Sequence, residues 1–309
     1  MLPWLSDRKY QLLIESINKA LPQNYDFEII KTLTRLSQVK AKSVCLQFPE
    51  GLLAWADTIA FLIEEFADGE IDVFVVGDVV YGACCIDDIR AAYFDCDFLV
   101  HYAHSCLVKV SDMDVPCLYI FVKIKIDPED FVKAIKNIIF MVLPDASGGH
   151  SKEATLTKLH LNATVQYIDV VHFAYRKLVE DGYGDRISIP ICSPLSPGET
   201  LGCTSAKLNG NLCVFLADGR FHIESSMIQN PHVVYYRFDP FTRRMFLEKY
   251  DHQALYLTRN RVLRSVRINP RVPYLNEFTA DLIVNVGCPR MSIDWGAESC
   301  HIPFISTFE

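Results

Sequence analysis

The chain has 309 residues, 50% of them hydrophobic and 22% charged, with 14 glycines and 15 prolines. That is length for two or three domains of ~100–150 residues with sizeable cores, and it excludes disordered, collagenous and low-complexity classes. Thirty basic against 38 acidic residues leave a net charge of −8, which disfavours generic binding to nucleic acid or to an anionic membrane. Asp7, Arg8 and Lys9 break the apolar character of the N-terminus, so it does not read as a signal peptide. The longest apolar runs, at Ile138–Leu143 and Leu212–Ala217, fall far short of the about 18 residues that a membrane span needs. The expected setting is soluble and cytoplasmic. Eleven cysteines, an odd number, argue against a disulfide framework there and leave buried thiols or metal ligands.

Two helices are predicted before residue 42, one with Leu12, Leu13, Ile17 and Ala20 on one face and one around Phe27–Leu36. Then the pattern changes. Strands are predicted at Lys42–Phe48, Ile71–Val76, Cys96–His101 and Cys117–Val122, with helices at Leu52–Phe66, Asp87–Phe94 and Pro128–Ile135. Continuous apolar strands separated by helices are the signature of a parallel sheet, and they define a first unit, 42–142. The polar stretch Leu143–Lys158 reads as a linker or surface loop. It opens a second unit, 143–239, with strands at Leu161–Tyr167, Ile187–Cys192, Leu212–Leu216 and Val233–Tyr236 and a helix at Ile168–Leu178. Residues 240–309 read as a long helical stretch, Pro240–Arg267, and a shortened third unit with strands at Asp281–Val286 and Ile302–Ile305. The expected fold class is α/β: three repeated units of ~100 residues, the third shortened, each a short parallel sheet flanked by helices.

Parallel strands deliver functional loops at their C-terminal ends. Three such loops carry a cysteine: Gly77–Cys85, Ser196–Ser205, and Gly287–Arg290 followed by Ile293–Gly296. Three units around a pseudo-threefold axis would bring three thiolates to one point. Such a set suits an iron–sulfur cluster and leaves one iron of a cubane open. On spacing alone, three inert buried cysteines are the commoner outcome, and zinc is a further option although the close CxxC pairs of structural zinc sites are missing. Around the loops, His101 and His104 fit either packing or a site. Glu199 either caps a turn or lines a pocket. Arg220 suits a bidentate grip on a carboxylate and equally an ion pair to Asp218 or Glu224. Arg237, Arg243, Arg244, Arg259, Arg261, Arg264 and Arg267 form a basic stretch, either a solvated helix face or a docking surface.

The stretches LQFPEGL, GDVVYGACCIDD, DFLVHYAHSCL, LSPGETLGCTS, DGRFHIES, YRFDPF, YDHQ and CPRMSIDWG closely resemble the diphthamide synthase family, in its eukaryotic catalytic-subunit branch, from about Lys42 to Trp295. The resemblance implies three α/β domains around a central 4Fe-4S cluster, held by Cys84 in YGAC, Cys203 in LGCT and Cys288 in CPR, with Cys85 a neighbour outside the ligand set. It implies cleavage of the γ-carbon–sulfur bond of S-adenosylmethionine (SAM) and transfer of the 3-amino-3-carboxypropyl radical to a histidine of translation elongation factor 2. Arg220, His222 and Asp294 are the candidates for the SAM pocket. The implied partners are a homologous sister subunit in a heterodimer, elongation factor 2 as substrate and a small electron-donor protein. Nucleic acid and membrane are not expected. A non-catalytic sister subunit and a quinolinate-synthase-like enzyme are the rival readings; the three loop cysteines and the motif strings favour the first reading over both.

Overall fold

A computed structural model describes residues 2–77, 85–142, 158–268, 282–294 and 302–306, with backbone alone at 264–268. Cys84 and the loop around it, most of the polar stretch 143–158, and Trp295 lie outside the described residues. In chain order the elements are α1 (Asp7–Ala20), β1 (Tyr25–Asp26), α2 (Ile29–Val39), β2 (Ser43–Gln47), α3 (Ala56–Phe66), β3 (Asp72–Val76), α4 (Asp88–Tyr93), β4 (Phe98–Tyr102), β5 (Cys117–Ile120), β6 (Lys123–Ile124) and α5 (Pro128–Val142). Then follow β7 (Leu159–Ala163), α6 (Ile168–Leu178), β8 (Ile187–Ser188), β9 (Leu212–Leu216), α7 (Phe221–Gln229), β10 (Val234–Asp239), β11 (Arg244–Glu248), α8 (His252–Ile268), β12 (Ile283–Asn285), α9 (Pro289–Asp294) and β13 (Phe304–Ser306). The fold is mixed α/β, with several parallel sheets flanked by helices. Contacts gather the chain into two compact units, Met1–Asp127 with Val165–Asp169, and Pro128–Thr164 with Val170–Glu309.

In the first unit the sheet order is β3-β2-β4-β5, all parallel. Side chains alternate across a strand, and here both faces are covered. Val44 and Leu46 of β2 and Phe98, Val100 and Tyr102 of β4 join one core with Leu13, Leu33, Ile59 and Ile63 of the helices. Cys45 and Leu99 point to the other side, against Ile86, Ala91 and Cys96. Burial on both faces is why these strands read as unbroken apolar runs. The N-terminal helices are part of this core, and β1 pairs with β6 antiparallel. Ser6 caps α1, its side chain accepting from the Lys9 amide.

The second unit holds a five-stranded sheet, β11-β10-β9-β7-β8. It is parallel except for β10 and β11. Cys213 and Phe215 of β9 pack with Ile223 and Met227 of α7. A separate parallel pair, β12-β13, stands at the chain's end. The strand expected at Leu161–Tyr167 runs instead from Leu159 to Ala163, with a helical turn at Val165–Tyr167, and two further expectations change. The helix predicted over Pro240–Arg267 begins only at His252. Residues 244–248 are instead a strand, because the Asp239 carboxylate accepts from the amides of Phe241 and Thr242, both at 3.0 Å, and folds the chain into a hairpin. The strand predicted at Ile187–Cys192 stops after Ser188, since Pro190 has no amide to give a ladder.

Two buried histidines sit in these sheets. His160 in β7 accepts from the Gly210 amide at Nε2 (2.9 Å) and so donates from Nδ1 to Ser188 Oγ at 2.8 Å. His101 in β4 donates from Nδ1 to Gln47 Oε1 at 3.0 Å. Burial holds both neutral, lowering His101 to about 3 and His160 to about 4 from 6.5. On acidification the unfolded chain takes up these protons first, so the stability they contribute is complete above pH 6.5 and is lost between there and pH 3 to 4. Each histidine should add a slope of about 1.4 kcal/mol per pH unit across that window. Urea midpoints measured from neutral pH downward should fall accordingly, and His160→Asn should flatten the curve for the second unit.

Candidate functional site

The Cys203 loop is built from turn chemistry. Ser196-Pro197-Gly198-Glu199 closes a turn with Gly198 at φ 83°, the Glu199 amide donating to Ser196 O at 2.9 Å. Proline at the second position and a left-handed glycine at the third are what a type II turn asks for. Glu199 is buried, and its Oε2 accepts from the Ser196 amide at 3.0 Å, so it caps the turn. The loop then docks on the C-terminal end of β7: Ala163 N donates to Gly198 O and Thr200 N to Ala163 O. Leu201 and Thr204 exchange both backbone hydrogen bonds, leaving Gly202 and Cys203 at the tip. A Cβ on Gly202 would sit 1.9 Å from the Phe221 ring, so only glycine allows this approach.

Cys288 follows β12. The Asn285 side chain spans the turn, accepting from the Gly287 amide at 2.9 Å and donating to Cys288 O at 2.7 Å. Pro289 starts α9, the helix position that proline favours. Burial raises the Cys288 thiol, amides of Arg290 and Met291 pull it down, and the neighbouring Cys203 pushes it up. The two loops are joined directly, since Arg290, two residues after Cys288, donates to the carbonyl of Gly202 beside Cys203. A pair of thiols with backbone N–H groups aimed at one sulfur is the donor set an iron–sulfur centre uses. Of the three expected ligands, Cys203 and Cys288 are thus described and fit such a group. Cys84 lies outside the described residues, and among the described residues no group of three metal-binding side chains occurs.

The first-unit loop is held at its downstream edge by Gln47, the last residue of β2. Its Nε2 donates to Cys85 O at 2.8 Å, and its Oε1 accepts from Asp87 N and His101 Nδ1, both at 3.0 Å. Asp87 then caps α4 by accepting from the Arg90 amide. Gln47 carries only one signal in the sequence, an amide side chain ending an otherwise apolar strand.

The three residues expected near SAM are placed differently from one another. Arg220 starts α7 and is committed to Glu248 at 2.8 Å, Glu224 at 3.3 Å and Lys249 O at 2.9 Å. Asp294 gives both oxygens to Arg290 Nε at 3.1 Å. His222 stacks edge-on against Phe221. Arg220 and Asp294 are brought into one network through Glu224, whose second oxygen takes Arg290 Nη2 at 2.9 Å. The basic stretch is dispersed: Arg237, Arg243 and Arg244 belong to the hairpin, and Arg259 is buried, donating to Ser292 O and Phe304 O. A largely apolar cavity of about 500 Å³ opens beside Cys203, walled by Gly202, Ser225, Tyr256, Arg259 and Arg290. Arg220, His222 and Asp294 are not in its wall.

The sequence profile of the diphthamide synthesis protein family matches residues 48–272. The chain belongs to that family. Membership places it in diphthamide biosynthesis, among enzymes. A relative from Homo sapiens, 2-(3-amino-3-carboxypropyl)histidine synthase subunit 1, is 38% identical over 92% of this chain and 70% of its own length. Its counterpart in Dictyostelium discoideum is 35% identical over 99% of this chain and 71% of its own. Among solved structures, Dph2 from Pyrococcus horikoshii with a 4Fe-4S cluster superposes with a TM-score of 0.70 at 23% identity, covering 91% of this chain and 88% of that one. At that identity the likeness is one of fold. No described helix is long and apolar enough to cross a membrane.

The packing of Gly202 on Phe221 yields a direct expectation. Gly202→Ala must displace the ring and with it the tip of the loop. The melting temperature should drop, and Cys203 in the metal-free protein should become more reactive towards a maleimide. Gly219→Ala, where an added Cβ meets nothing within 4 Å, is the control and should change neither.

Proposed function

We propose that the chain transfers the 3-amino-3-carboxypropyl group of SAM to a histidine of translation elongation factor 2, the opening reaction of diphthamide synthesis. The observation that carries this is that the Cys203 and Cys288 loops, each following a parallel strand, are joined through Arg290 in a member of this family. With Cys84 they would hold a 4Fe-4S cluster, the group that accompanies the solved Dph2 from Pyrococcus horikoshii. Such a cluster supplies single electrons and one iron open to the donor atoms of SAM.

The residues do the positioning. The reciprocal Leu201–Thr204 bonds and the Asn285 bridge fix where the two sulfurs point, and the amides at the start of α9 favour the thiolate of Cys288. The cavity beside Cys203 has the size of ordinary small-ligand sites and a largely apolar wall with arginines at its edge, so it suits SAM. Overall the sulfonium–carbon bond breaks, 5′-methylthioadenosine departs, and a carbon–carbon bond forms on the imidazole while that carbon's hydrogen leaves as a proton. The reaction therefore consumes no net electrons. Arg220 and Asp294, being paired, shape the site's surroundings and are not direct contacts to SAM in this reading. A cytoplasmic heterodimer with a homologous sister subunit completes it. The curated relatives are called subunit 1, and the terminal β12-β13 pair leaves Val284 and Val286 exposed, a small apolar edge for a partner to cover. A small electron-donor protein would reduce the assembly.

The test is anaerobic purification alone and with the sister chain, followed by iron analysis and transfer from labelled SAM to elongation factor 2. The co-purified chain should be brown and active. Cys84→Ala, Cys203→Ala and Cys288→Ala should each lower bound iron and reduce transfer to background, whereas Cys192→Ala should leave both intact. Full iron and full transfer in Cys203→Ala would overturn the ligand assignment. A fully active monomer would overturn the heterodimer.

A further inference from the structure

We infer that Arg290 is the positioning residue that sets the distance between Cys203 and Cys288, and that it acts by shape rather than by charge. The inference rests on the reading above that these two thiols serve one centre. Arg290 leaves the backbone two residues after Cys288 and is buried. Its guanidinium ends on the loop that carries the other cysteine: Nη1 donates to Phe221 O at 2.7 Å and to Gly202 O at 3.4 Å. Gly202 immediately precedes Cys203. Nη2 takes Glu224, Nε takes both oxygens of Asp294, and the guanidinium carbon lies 4.4 Å over the centre of the Phe221 ring. The same ring is the surface on which Gly202 packs. One planar side chain thus touches both cysteine loops, and each of its three nitrogens has a defined acceptor.

The charge of Arg290 is answered on the spot by two carboxylates, and its pull on the Cys288 sulfur ranks below burial, Cys203 and the loop amides. What lysine lacks here is the planar fork and the flat face, not the charge. That separates the two explanations. If charge mattered, Arg290→Lys would keep the function and Asp294→Asn would disturb it. If shape matters, Arg290→Lys loses the spacing and Asp294→Asn, which keeps a carbonyl oxygen for Nε, preserves it.

The experiment reads thiol spacing directly in the iron-free chain, co-purified with its sister subunit. Dibromobimane becomes fluorescent when both of its arms are taken by thiols, and peptide mass mapping identifies the bridged pair. The wild type and Asp294→Asn should give the Cys203–Cys288 bridge; Arg290→Lys should lose it while retaining a cooperative melt. In the iron-loaded protein the electron paramagnetic resonance signal of Arg290→Lys should also shift. If Arg290→Lys does not fold, Phe221→Leu decides. That ring is 47% exposed, so the variant tolerates the loss, and it should bridge more slowly because the guanidinium has lost its platform. Wild-type bridging in a folded Arg290→Lys, or in Phe221→Leu, overturns the inference, as does loss of the bridge in Asp294→Asn. A wild type without iron or transfer would instead defeat the functional reading and leave the bridging result standing.

Discussion

The second unit depends on an alternating chain of charge. Asp239 pairs with Arg237, Arg237 with Glu248, Glu248 with Arg220, Arg220 with Glu224, Glu224 with Arg290 and Arg290 with Asp294. Three guanidinium groups meet four carboxylates, and the links run from 2.8 to 3.3 Å. Arg290 and Glu248 are nearly closed off from water, at 5% and 7% side-chain exposure, where an unpaired charge would be costly. The chain joins the hairpin, the start of α7 and α9. It therefore connects pieces of sequence that share no strand pairing, and both described cysteine loops hang from its inner end.

The sheets provide the other half of the design. A parallel strand buried on both faces has little freedom to slip, because a shift of one residue would exchange its two faces. Loops leaving the C-terminal ends of such strands inherit that rigidity. Gln47 in the first unit and Asn285 near the end of the chain do similar work there. Each uses one amide side chain to donate to one backbone carbonyl and accept from one backbone amide, so a loop beside a cysteine is pinned from two sides.

Much of this was legible from sequence, for identifiable reasons. Strands β2, β4 and β9 announce themselves because burial on both faces makes them continuous apolar runs. The cysteine loops are legible because a strand, a glycine turn and a cysteine follow each other along the chain. β11 was not, since Met245, Phe246 and Leu247 fit one turn of a helix as well as a half-exposed edge strand. The Asp239-Pro240 turn was the available signal. The partners of Arg290 were hidden for a different reason. Beyond Asp294, its acceptors Glu224, Phe221 O and Gly202 O lie 66 to 88 positions away, and local patterning carries no information at that range.

Glu224 is shared by two arginines, one oxygen for each. That sharing restricts how these positions vary among relatives. Exchanging the members of a simple ion pair can leave it intact, but reversing one arm here sets two like charges against each other on the remaining arm. Residues 220, 224 and 290 are therefore expected to change as a set, since reversing one of them alone leaves the other arm of Glu224 repulsive.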